Sequence, residues 1–144
     1  MSLTLPQMFH LYQRYPSSRQ LEFDTLLREG LEHKSLTSEL KPGMQVAVGI
    51  GSRGIANFFE IVIAVLNRIR ASGAEPFIVP AMGSHGGATP SGQEHLLAGF
   101  GVTPESTHAH FETSMDVEEI GQFGDGYPVV FSSAALKADA VVLI

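Results

Sequence analysis

Two strand-like runs, Met44–Val48 and Phe77–Ala81, each lead into a glycine-rich loop and then into a helix-like stretch, and this repetition constrains the fold more than any other feature. Runs without polar alternation suit strands buried on both faces, as in parallel sheets. A helix between two strands is the connection that parallel neighbours need. The expected fold is α/β: a mainly parallel sheet, joined by right-handed crossovers, with helices on both faces.

The remaining segments extend this frame. Residues 1–23 mix Phe9, Tyr12, Tyr15 and Phe23 with Pro6 and Pro16, and read as an irregular arm or edge strand. Asp24 is a candidate N-cap for a helix from Thr25 to about His33, with Leu26, Leu27 and Leu31 on one face. Lys41-Pro42-Gly43 is a turn. Ile55–Ser72 reads as a long helix stopped at Gly73, and Thr89-Pro90 as the cap and first residue of another, which runs to Gly99 or Gly101. In the C-terminal third, Val117–Phe123 and Tyr127–Phe131 flank Gly124-Asp125-Gly126, the pattern of a β-hairpin. Ser133–Ala138 reads as a short helix and Ala140–Ile144 as a last buried strand. No turn or polar tail follows that strand, so further sequence is expected to continue the fold. The expected organisation is an N-terminal arm and helix over 1–40, packed on an α/β domain over 41–144 that precedes a C-terminal domain.

Charge and composition remove several classes of function. Nine basic against fifteen acidic residues give a net charge of -6, which repels phosphate backbones and anionic lipid. Neither nucleic acid nor a membrane is an expected partner. The absence of cysteine rules out a disulfide, a cysteine nucleophile, a Cys-based zinc site and an iron–sulfur cluster within this chain. No basic segment leads into an apolar core near the N-terminus, and the longest purely apolar stretch is Ile61–Leu66. The protein reads as soluble and cytoplasmic.

The two glycine loops carry the candidate chemistry. Gly49-Ile50-Gly51-Ser52-Arg53-Gly54 matches G-x-G-x-x-G between a strand and a helix. Glycines there let the backbone approach an anion, the helix N-terminus supplies N–H donors, and Arg53 adds a guanidinium fork. The plainer reading is a tight turn with a solvated arginine. A dinucleotide site also needs an acid at the end of the second strand for the ribose, where this chain has Pro80-Ala81-Met82-Gly83, so a dehydrogenase lacks its second requirement. The other loop, Gly83-Ser84-His85-Gly86-Gly87-Ala88, sets at a strand end an imidazole that can exchange protons near neutral pH. Its plainer reading is a surface histidine on a flexible turn. Both loops of a doubly wound sheet open on one edge, so Arg53 and His85 are expected to face one cleft.

Taken in order, Ser52-Arg53, Ala81-Met82-Gly83-Ser84-His85, Thr89, Glu94, Ile120-Gly121, Gly126-Tyr127-Pro128-Val129 and Ala138-Asp139 resemble the N-terminal domain of the nickel-dependent lactate racemase (LarA) family. The resemblance spans Lys41–Ile144 and implies a Rossmann-like domain of that family's kind. It also implies a 2-hydroxy-acid racemase or epimerase, in which a nickel-pincer nucleotide takes a hydride from the substrate carbon and returns it to either face. His85 takes the place of one of the family's two histidine bases, and Arg53 that of its cofactor- or substrate-holding arginine. The implied cofactor-binding set is Gly49, Gly51, Ser52, Arg53 and Gly54 with Gly83 and Ser84. The partners implied are a small 2-hydroxy acid and the C-terminal domain of the same protein. The chain departs from the family pattern at Ile50, Gly54 and Gly86, so the implied substrate is a 2-hydroxy acid and not lactate in particular. The anchoring lysine, the second histidine and the nickel ligands are expected beyond Ile144, which makes this chain inactive alone. The alternative is a non-catalytic nucleotide- or anion-binding module that uses Gly49–Gly54.

Other polar groups carry less. His108-Ala109-His110 would put two imidazoles on one strand face, but no third ligand accompanies them, so no metal site is assigned. Asp116, Glu118 and Glu119 read as a solvated acidic face, and His95 as a surface or cap residue. Arg68 and Arg70 close the long helix, where cations favour the dipole.

Overall fold

Val46, Ala47 and Val48 form the middle of strand β1 (Gln45–Ile50), where two β-branched side chains suit a pleated, two-sided environment. The computed structural model, which describes residues 8–14, 23–32 and 39–144, sets β1 inside a four-stranded sheet. Strand β2 (Glu75–Pro80) runs parallel to β1, with Gln45 opposite Glu75 and Ile50 opposite Pro80. The sheet order is β3-β2-β1-β6, in which β3 (His110–Phe111) and β6 (Ala140–Leu143) are also parallel to their neighbours. The chain therefore moves outward through β2 and β3, then returns to the far side of β1. Strand order reverses at β1.

Helical periodicity decides which faces are covered. Helix α2 (Phe58–Ala71) buries Phe58, Val62, Val65, Leu66 and Ile69, one stripe at helical spacing. This stripe meets Val46, Val48, Ile50 and Ile78 of the sheet, together with Leu97 of α3 (Pro90–Gly99), in the larger core. On the opposite face Ala47 and Val79 pack on Ala134 and Ala135 of α5 (Ser133–Leu136). Helices lie on both faces, as expected, but very unequally.

Two arginines at the end of α2 tie in peripheral elements. Helix α1 (Phe23–Leu31) adds Leu31 to the rim of the larger core, and Arg68 Nε donates to the Leu31 carbonyl at 3.3 Å. Arg70 Nη2 donates to the carbonyls of Thr107 and His108, both at 2.9 Å, at the end of α4 (Pro104–Thr107). Terminal carbonyls lack partners within a helix, so a guanidinium satisfies them well. The hairpin forms as expected from β4 (Val117–Phe123) and β5 (Tyr127–Ser132), with a bulge between Glu119 and Gly121. It is a sheet of its own, with Phe123 and Tyr127 exposed at its tip.

Some boundaries differ from expectation. Helix α1 begins at Phe23, so Asp24 sits in its first turn and not at its cap, and Leu26 stays exposed. Helix α2 begins at Phe58 and not at Ile55, because Asn57 is left-handed (φ 58°) and closes a turn that helical backbone cannot pass through. Residues 8–14 form neither helix nor strand and are exposed. Pro6, Tyr15, Pro16, His33 and the side chain of Leu27 lie outside the described residues. Among the described residues no helix is long and apolar enough to cross a membrane. Leu66 is fully buried where α2 meets the sheet. Leu66→Ala should lower the unfolding free energy by about 2–5 kcal/mol in urea titrations read by circular dichroism.

Candidate functional site

Parallel register brings the strand ends together. Ala81 N donates to the Ile50 carbonyl at 2.8 Å, so the loops after β1 and β2 leave from one edge of the sheet. On the other flank Ile144 N donates to the Gly49 carbonyl at 2.9 Å and Gly51 N to the Ile144 carbonyl at 3.2 Å. Ligands of open α/β sheets gather in the crevice outside such carboxyl ends, where strand order reverses.

His85 stands on this edge, on a backbone held from several sides. Met82 buries its side chain in the core and its carbonyl accepts from His85 N at 3.2 Å. Gly86, Gly87 and Ala88 are all left-handed (φ 65°, 68° and 52°), a run that coils the chain back onto α3. Gly86 lies so close to Gly92 that a Cβ on Gly92 would overlap the Gly86 carbonyl oxygen. Thr89 caps α3 by accepting from Gly92 N at 3.1 Å and donates to the Gly86 carbonyl at 3.0 Å. Gln93, only 2% exposed, donates from Nε2 to the carbonyls of Gly83 (2.8 Å) and His85 (3.4 Å). The imidazole itself is exposed, and its Nδ1 lies 2.5 Å from Ser52 Oγ.

The loop after β1 is built differently from a phosphate cradle. A Cβ on Gly49 would meet Leu143 Cδ2 at 2.6 Å, and one on Gly54 would meet Phe100 Cε1 at 2.8 Å. Phe100 in turn packs edge-on against Phe58, with ring centroids 5.1 Å apart. These two glycines make room for neighbouring side chains. None of Gly49, Gly51 and Gly54 has a left-handed φ, so the turn does not depend on glycine angles either. The late start of α2 also separates the loop from the helix N-terminus that a dinucleotide fingerprint requires. Arg53 is exposed and makes no hydrogen bond or ion pair among the described residues. The two loops do converge, but the residue that touches His85 is Ser52 and not Arg53. Gly83 and Ser84 are exposed beside it, and nothing lies within 4 Å of a Cβ on Gly83.

The other polar groups stay apart. His108 is left-handed (φ 50°) at the end of α4, and β3 begins only at His110, so the two imidazoles do not share a strand face. His110 Nε2 instead lies 3.5 Å from Glu112 Oε2. Among the described residues no three His, Asp or Glu side chains come together as a metal site. Asp116 is engaged locally, accepting from Ser114 Oγ at 2.6 Å, while Glu118 and Glu119 are exposed. His95 is exposed on α3 and lines a groove of about 560 Å³ with Glu94, Glu105 and His110. The Glu105 carboxyl there is held below its ordinary range by a backbone hydrogen bond at the start of α4, then by Thr103. A smaller cleft of about 180 Å³ opens between the base of the His85 loop and the hairpin, lined by Pro80, Met82, Gly83, Asp116 and Phe131. No family model matches the chain, and no curated protein or solved structure matches it.

Sequence reasoning missed Gln93 and Gly92, which hold the His85 loop. The one available signal was their place in the first turns after the Thr89 cap, on the side facing the loop. Gln93→Leu removes the donors to both carbonyls and should cost about 1–3 kcal/mol. Amide hydrogen exchange should speed up from Gly83 to Ala88 more than in the sheet; equal protection in both proteins would refute the tie.

Proposed function

We propose that the chain is the N-terminal domain of a 2-hydroxy-acid racemase or epimerase of the nickel-dependent lactate racemase kind, with His85 as its acid–base group. The observation that carries this reading is an exposed imidazole on a tied-down loop, at the carboxyl edge of a parallel sheet. The finer description of the fold, a Rossmann-like doubly wound sheet like that family's N-terminal domain, is part of the same proposal. The order β3-β2-β1-β6, with its reversal at β1, supports it.

The chemistry assigned to this chain is proton transfer. A 2-hydroxy acid inverts when its carbon-bound hydrogen leaves as hydride and returns to the other face. The hydroxyl proton must leave with it and come back, and an imidazole does both at one pH. His85 takes and returns that proton. Arg53 orients the substrate carboxylate through paired N–H donors. Hydride acceptance is what the nickel-pincer nucleotide supplies when bound. The described residues do not fit that group by themselves, since no three metal-ligating side chains converge. Its nickel ligands, its lysine anchor and the second base are assigned to the C-terminal domain of the same protein. Within the proposed contact set, Gly83 and Ser84 are exposed and nothing lies within 4 Å of a Cβ on Gly83, whereas Gly49 and Gly54 are filled by Leu143 and Phe100. A cytoplasmic location accompanies the reading, in keeping with a chain that has no cysteine.

In the full-length protein loaded with the cofactor, His85→Ala should slow hydroxy-acid racemisation by about 10²–10⁴-fold at unchanged Tm, measured by chiral chromatography. Wild-type turnover in that variant would sink the assignment. A second reading, a non-catalytic anion- or nucleotide-binding module, is favoured by the exposed guanidinium of Arg53. It expects this chain alone to bind ATP or NAD in calorimetry and to lose that binding in Arg53→Ala; no heat with either ligand leaves the isomerase.

A further inference from the structure

An imidazole has two nitrogens, and a base that acts repeatedly in one direction needs one of them held by the protein. The backbone of His85 is already held by Met82 and Gln93, which leaves the ring free to turn about its side-chain bonds. The contact that removes this freedom comes from the loop after the neighbouring strand β1: Ser52 Oγ lies 2.5 Å from Nδ1. Ser52 is half-buried and follows Gly51, whose N–H is bonded to the Ile144 carbonyl at 3.2 Å, so the hydroxyl is presented from an anchored position. Among the described residues Nε2 has no partner. We propose that Ser52 is a positioning residue that accepts the Nδ1–H hydrogen bond of His85, so that Nε2 alone exchanges protons with a bound hydroxy acid. This inference rests on the acid–base role given to His85 above.

A hydroxyl suits the task better than the carboxylate that often orients a histidine. It accepts from Nδ1–H both when the ring is neutral and when it is imidazolium, so the contact survives each proton transfer. A carboxylate would favour the charged ring and hold the proton on it. In the forward step the substrate O–H bond breaks as the Nε2–H bond forms, and the ring becomes imidazolium with Nδ1–H unchanged. The accompanying two-electron oxidation of the alcohol carbon needs the hydride acceptor that the nucleotide cofactor would supply when bound. In the reverse direction the Nε2 proton goes back to the substrate oxygen, again with Nδ1–H unchanged. Arg53, adjacent to Ser52 in sequence, supplies the positive charge that keeps the substrate carboxylate beside this pair.

Nitrogen-15 spectra of the histidine-labelled chain test the contact without any substrate or cofactor. The signal that vanishes in His85→Gln identifies the ring, recorded at a pH where it is neutral. A free neutral imidazole favours the Nε2–H form, so an Nδ1–H form in the wild type is the expected and diagnostic result. Ser52→Ala should shift the ring toward Nε2–H, and Ser52→Thr should keep Nδ1–H. In the loaded full-length enzyme Ser52→Ala should lower kcat by about 10–100-fold with KM little changed, and Ser52→Thr should restore most of it. An Nε2–H wild type, a tautomer indifferent to Ser52→Ala, or full kcat in Ser52→Ala each overturns the proposal. Full turnover in His85→Ala would instead overturn the acid–base reading, while the spectra still decide the contact.

Discussion

Strand β1 is hydrogen-bonded in parallel on both sides, and the rest of the molecule is arranged by that constraint. Parallel strands share a direction, so β1, β2 and β6 all deliver their carboxyl ends to one edge. Both faces of β1 must then be covered. Val46, Val48 and Ile50 take the larger helices, and Ala47 takes the short α5. Small residues on the second face match a thin cover: Ala47, Gly49 and Ala81 leave a cleft of about 250 Å³ in front of Phe131 and Leu143.

The two loops at that edge look alike in sequence and work differently. Glycines after β1 make room for Leu143 and Phe100, so they belong to the packing of the domain. Glycines after β2 let the chain coil onto α3, where Gly86 and Gly92 touch backbone to backbone. The second arrangement stiffens the element that carries an exposed imidazole. Left-handed backbone at Ala88, a residue with a Cβ, is strain of a kind that persists only where surrounding contacts impose it. Here those contacts are the Thr89 cap and the two carbonyls held by Gln93.

Much of the frame was legible because it rests on local signals. Apolar runs marked β1 and β2, the Thr89-Pro90 pair marked the start of α3, and Gly124-Asp125-Gly126 marked the hairpin turn, all within a residue or two. Where the reading slipped, the deciding force was not local. Ile55 to Asn57 has helical company on its C-terminal side, yet Asn57 adopts a left-handed turn that delays α2 to Phe58. His108 and His110 have strand spacing, but a short helix and a left-handed cap separate them from a common face. Arg53 and His85 were expected to face one cleft, whereas the side chain that touches His85 is that of Ser52.

The sequence by itself determined the alternation of strands and helices, the parallel sheet that follows from it, and the position of His85 and the two loops at strand ends. These are consequences of hydrophobic periodicity, proline and glycine, which act over a few residues. Tertiary structure decided what those loops do. Register between β1 and β2 brings Ser52 to His85 across 33 positions of chain, and the buried amide of Gln93 fixes the loop from the first turn of the helix that follows it. The meaning of a glycine or a serine depended on which atom stood opposite, and only the folded chain supplies that atom.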